Sequence, residues 1–152
     1  MLEVTICPEK LTIRFRASGS LRGDGVHAAM AALKKAVDTF TGRSHFFLAD
    51  MRGLIPMTLE DAEVLREGIA YSRKRGTILC VHLSDSATMR LQASRLAREV
   101  SPHDEMTVEV VSLDEAERVL EDAFRHLAAG GKSGIVQRIM AARGRPGAGG
   151  AH

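Results

Sequence analysis

The 152 residues suit one domain, long enough to bury roughly 68–70% of the surface its unfolded form exposes. Hydrophobic residues at 45% and charged residues at 26% are globular averages, which excludes wholesale disorder and a fibrous architecture. A net charge of +2, from 21 basic against 19 acidic residues, is too small for the cationic footprint of counterion-releasing nucleic-acid binding.

Residues 2–7 and 11–17 alternate apolar and polar around Pro8-Glu9-Lys10, which predicts an opening hairpin with a short turn. A glycine-bearing loop follows, and Val26, Met30, Leu33, Val37 and Phe40 then recur at three- and four-residue steps, an amphipathic helix stopped by Thr41-Gly42. Residues 45–51 (HFFLADM) are a short continuous apolar run of the kind that forms a strand buried on both faces, so its neighbours are expected to be parallel. Thr58 is placed to cap the next helix, with Asp61 three residues on completing a capping-box pattern and Glu60 and Glu63 adding acid near the positive end. Arg73-Lys74-Arg75 and Gly76 close that helix.

Residues 77–83 (TILCVHL) read as a second buried strand, and the polar loop Ser84-Asp85-Ser86 leads to a helix with Met89, Ala93, Leu96 and Val100 inward, ended by Ser101-Pro102. Residues 106–111 supply a fifth strand. Ser112 and Glu115 form another capping box, opening a helix that buries Ala116, Val119, Leu120, Ala123, Phe124 and Leu127. The predicted fold is therefore α/β: a single domain over residues 1–129 with a four- to five-stranded, mostly parallel sheet, opened by a β-hairpin whose first strand lies antiparallel at an edge, and three to four helices. Residues 130–152, rich in glycine and arginine, read as a flexible C-terminal tail.

Cys7 and Cys80 lie in apolar strand-like runs without metal-ligand spacing, which predicts reduced, buried thiols. No apolar stretch reaches the ~20 residues of a membrane span, and MLEVTICPEK lacks the layout of a signal peptide, so the expected location is the cytoplasm. Cys80 and His82 share one face of a strand, but an activated thiol also needs a positioned base, an oxyanion site and access. The remaining histidines show no metal-like pairing. Gly131-Lys132-Ser133 lacks the glycine five residues upstream that a phosphate-binding loop needs, and Gly19, Gly23 and Gly25 do not have dinucleotide-binding spacing. Arg90, Arg95 and Arg98 lie off the apolar stripe of their helix, as a solvated face does. The expectation is a chain with no catalytic group, cofactor or metal.

In an open α/β sheet, partners and ligands meet the carboxyl ends of the parallel strands. Those ends carry Asp50, residues 53–58 and Ser84-Asp85-Ser86. A helix N-terminus beside them offers partial positive charge to an anion or a phosphorylated hydroxyl.

The order of elements and the segment HFFLADMRGLIPMTLEDAEVLREG resemble the STAS domain, the family of the sporulation anti-anti-sigma factor and its stand-alone relatives, over residues 1–129. The resemblance implies a non-catalytic regulatory module of bacterial signalling that docks onto a protein partner, such as an anti-sigma factor or a kinase-like regulator. In switching members an Asp-Ser pair starts the helix after the third strand, and a partner kinase phosphorylates the serine. Here Thr58-Leu59 stands in that place: Leu59 cannot be phosphorylated, and Thr58 matches the Asp position. Docking without the usual phosphoserine switch is therefore expected, with Thr58 as the hydroxyl open to phosphorylation. The docking surface is assigned to Asp50, Leu54, Ile55, Met57, Thr58, Glu60 and Asp61, and a homodimer is a further candidate assembly. The layout also resembles a subgroup sharing a lipid-carrier-like fold, which implies a second function: carrying or sensing a small amphipathic ligand, lipid-like or a nucleotide, in an internal apolar cavity.

Overall fold

A computed structural model describes residues 1–102, 106–131, 135 and 139. The order is β1 (Leu2–Cys7), a 3-10 turn (Pro8–Lys10), β2 (Thr12–Ala17), α1 (Asp24–Asp38), β3 (His45–Asp50), α2 (Leu59–Lys74), β4 (Thr77–Leu83), α3 (Ala87–Val100), β5 (Thr107–Val110) and α4 (Leu113–Ala128). The five strands lie side by side in chain order, with β1 antiparallel to β2 and every other pair parallel.

Right-handed crossovers that always step to the next strand put their helices on one face. The first core cluster accordingly joins β2 and β3 residues Ile13, Phe15 and Phe47 to Val26, Met30 and Leu33 of α1 and Met89 and Ala93 of α3, with α2 contributing Val64, Leu65 and Tyr71 at its margin. α4 folds back on the opposite face, where Ala116, Val119, Leu120 and Ala123 meet Phe46, Leu48, Leu79, Val81, Val108 and Val110. Successive side chains of a strand point to opposite faces, so Phe46 and Phe47 divide between the two cores. This is why β3 reads as a continuous apolar run. α1 and α2 approach closely at Gly68, where an added Cβ would run into the Met30 sulfur.

The predicted boundaries shift where local geometry intervenes. β2 begins at Thr12 rather than at position 11, because Leu11 takes a left-handed φ of 53° to close the 3-10 turn. α1 stops at Asp38, and Phe40 is buried from the turn that follows instead of from the helix. The expected tail begins less abruptly than its composition suggests: Ile135 and Ile139, four residues apart as on one helical face, are helical and buried in the α4-side core. The other positions assigned to the tail past 131 lie outside the described residues. Cys80 is buried, whereas Cys7 is only half-buried on the edge strand β1, where it lines an open groove with Glu117, Leu120, Glu121 and Phe124 of α4. Its thiol donates to Glu9 Oε1 at 3.1 Å, and that bond, with burial and the carboxylate's charge, pushes the thiol pKa up, away from nucleophilic character. Among the described residues no helix is long and apolar enough to cross a membrane.

Candidate functional site

The carboxyl edge of the sheet gathers three loops. After β3 the chain turns at Arg52-Gly53, and Gly19 N donates to Gly53 O while Ile55 N donates to Gly19 O, both at 2.9 Å, so the β2–α1 loop pairs with the β3–α2 loop beyond the strands. Gly53 N donates to Asp85 Oδ1 at 3.1 Å, which ties in the β4–α3 loop. Gln92 on α3 then holds the backbone of Met57 from both sides, accepting from its N–H and donating to its carbonyl at 2.9 Å each. The β3–α2 connection is thus fixed at Gly53, Ile55 and Met57, and its polar backbone groups find partners without a regular element.

This bracing sorts the expected docking residues. Leu54 is 5% exposed and plugs the first core, and Met57 is half-buried against the same cluster. Ile55 is 52% exposed and Leu59 86% exposed. Thr58 between them is exposed, and its hydroxyl accepts from Asp61 N at 3.2 Å, the cap that the sequence indicates. The Asp61 carboxylate does not return the bond as a capping box would; it accepts from Gly23 N at 3.1 Å, at the entrance to α1. Glu60 remains exposed in the first turn of α2.

Asp50 does not offer a free carboxylate to a partner. It is buried at the end of β3, and Arg52 forks onto it, Nε to Oδ1 at 2.9 Å and Nη2 to Oδ2 at 2.8 Å, while the Arg52 N–H also donates to Oδ1. Burial pushes the Asp50 pKa up, but the Arg52 hydrogen bonds and the charges of Arg52 and Arg16 outweigh it and hold the group below the usual carboxylate range. In the β4–α3 loop Ser86 caps α3 by accepting from Met89 N, and buried Ser84 donates to Ser86 O. These hydroxyls serve turn and cap.

Leu59 is an exposed apolar residue outside the docking surface assigned from sequence: it stands three residues before buried Ala62, yet its side chain is 86% exposed in the first turn of α2. Leu91 on α3 is likewise 65% exposed, next in sequence to the Gln92 that holds the loop. Nothing in the spacing marks Gln92 for that role.

On the α1–α3 face an apolar cavity of about 60 Å³ lies between the sheet and the helices. Phe15, Met30, Phe47, Leu65 and Ile69 form its body, and Cys80 and His82 reach it together from β4, on the shared strand face that their spacing indicates. Arg73, also in its wall, donates to Ala97 O and Thr107 Oγ1. No family model, no curated protein and no solved structure matches the chain.

Proposed function

We propose that this chain is a non-catalytic, cytoplasmic protein-interaction module that docks a protein partner through the β3–α2 junction, as the resemblance to anti-sigma-factor antagonists implies. The observation that carries this reading is the pair Ile55 and Leu59, apolar side chains held out in solvent on either side of Thr58 by a loop braced at Gly53, Ile55 and Met57. Binding residues are commonly presented on loops that a rigid scaffold positions, and pre-ordering lowers the entropic cost of association. The contact set is accordingly Ile55, Thr58, Leu59 and Glu60 at the surface, with Leu54 and Met57 supporting them from beneath and Asp50 and Asp61 fixing the backbone. Regulation by phosphate would act at Thr58, where added negative charge meets both the helix N-terminus and Glu60.

Quantitative capture from a bacterial extract tests this, with the wild type compared with Leu59→Glu and with Arg118→Glu on the remote α4. A partner retained by wild type and Arg118→Glu but lost by Leu59→Glu supports the junction. Identical capture by all three proteins removes it.

The cavity under α1–α3 favours a second reading, a small amphipathic ligand carried between sheet and helices. Its volume of about 60 Å³ admits a few water-sized groups and is well below the ~150 Å³ of an apolar cavity that takes up benzene, so a long acyl chain requires the helices to part. Native mass spectrometry of freshly purified protein decides this reading: a stoichiometric small ligand promotes it above docking, and a ligand-free mass removes it.

A further inference from the structure

The sheet has two edges of unlike length, the four residues of β5 and the six of β1. Met1 and Ser18 exchange both backbone hydrogen bonds, Met1 N to Ser18 O at 2.9 Å and Ser18 N to Met1 O at 3.0 Å. Such bonded pairs alternate along an antiparallel ladder, so with the observed register the next ones are Glu3–Arg16, Thr5–Arg14 and Cys7–Thr12. The phase agrees on β2, where Leu11 O accepts from Phe46 N and the odd-numbered residues therefore serve β3. Leu2, Val4 and Ile6 consequently turn their N–H and C=O groups away from the sheet. Natural edge strands are usually blunted by lysine, proline, a bulge or a covering segment. Within β1 there is no lysine or proline, the single charge is the exposed Glu3, and its register to β2 runs unbroken from Leu2↔Ala17 to Cys7↔Thr12.

We propose that β1 is a self-pairing edge, joined antiparallel to β1 of a second copy of this chain with Val4 opposite Val4, so that two sheets become one. The strand is its own complement in this register alone. Leu2 then faces Ile6 and Val4 faces Val4, so all three outward-bonding residues form bonded pairs. The half-buried Leu2, Val4 and Ile6 side chains, which already lean on the α1-side core, gain matching neighbours from the other copy. Between them the exposed Glu3 carboxylate faces the Thr5 hydroxyl, a donor, on each side of the two-fold axis. Alignment on Glu3 instead sets two carboxylates against each other and uses fewer outward groups. Alignment on Thr5 drives Leu2 against Pro8, which has no N–H. The dimer leaves the β3–α2 junction out of the contact, so its fate is independent of the docking reading.

Sedimentation equilibrium over a wide concentration range tests the pairing. The wild type is expected to rise from 16.5 kDa towards twice that mass. Thr5→Glu, on an exposed position, sets a new carboxylate against Glu3 of the other copy on each side of the axis and should weaken the dimer about tenfold. Adding Glu3→Lys to that variant turns both repulsions into ion pairs and should restore the wild-type constant, a rescue unique to this register. Val4→Pro removes an outward N–H without touching the β1–β2 ladder and should leave a folded monomer. A wild type that stays monomeric throughout overturns the proposal, as does a dimer indifferent to Thr5→Glu, or a weakening that Glu3→Lys fails to reverse.

Discussion

The two ends of the parallel sheet both tie up their polar groups, but they differ in the apolar surface they leave exposed. At the amino end His45 is fully buried, stacked on Phe40 with ring centroids 4.7 Å apart, and bonded at both nitrogens. Nδ1 lies 2.8 Å from Arg43 O, and only an N–H can face a carbonyl there, so Nε2 accepts from the Thr77 hydroxyl at 2.7 Å. Beside it Gly76 packs against the backbone of Gly42 and Arg43. Among the described residues, His45, Thr77 and the backbone of residues 42–43 and 76 are consumed here in joining β3 to β4. At the carboxyl end the loops are tied to one another just as firmly, yet Ile55, Leu59 and Leu91 stay in solvent. A rigid frame with unspent apolar surface is suited to binding, and a frame with none left over is suited only to stability.

The contrast is open to breaking, and the largest effect should come at the amino end. Gly76 has φ of +108°, and a Cβ there would stand 2.6 Å from Arg43 O, with no flexible side chain to give way. Gly76→Ala is expected to cost about 3 kcal/mol or more in urea denaturation, through left-handed strain and a backbone clash together.

Next comes acid. Burial lowers the His45 pKa, with the Arg43 carbonyl partly opposing it. Above the unfolded value of about 6.5 both states are neutral, and stability is independent of this group. As pH falls below that value the unfolded chain takes a proton that the folded chain refuses, so stability declines by up to ~1.4 kcal/mol per pH unit until the folded pKa is reached. His45→Gln should abolish that part of the slope just below about pH 6.5, above the range of roughly pH 5 and lower where carboxylates with a lowered folded pKa, such as Asp50, begin to add their own acid loss as the unfolded chain protonates.

At the carboxyl end the effects on stability should be smaller. Thr58→Ala removes the cap of α2 and should cost about 1 kcal/mol. Leu59→Glu, with no core contact to lose, should change stability by less than about 0.5 kcal/mol. A loss comparable to that of Gly76→Ala would mean that Leu59 is part of the fold and not surplus to it.

The same contrast explains what the sequence disclosed. Strand and helix identities were legible because Phe46-Phe47-Leu48, the α1 stripe and the Ser112 cap each state a local preference that the packing then honours. The hairpin's antiparallel edge was legible from its short turn. The site was legible in place but not in roles. Asp50 and Leu54 read as available from their position at a strand end, and both face inward, because Arg52 folds back on the one and the core lacks a plug without the other. Gln92 and Asp85, which brace the loop from 35 and 32 residues away in sequence, carry no local signal. Long-range polar ties depend on the finished packing of α3 against α2, which no window of sequence contains.

Hydrogen–deuterium exchange on the chain alone and on its complex with the captured partner tests the docking surface most directly. New protection should concentrate at residues 54–61, with the amino-end segments 43–46 and 76–79 unchanged because they are already closed. Protection that falls elsewhere on the molecule, with residues 54–61 exchanging as fast in the complex as in the free chain, would contradict the assignment.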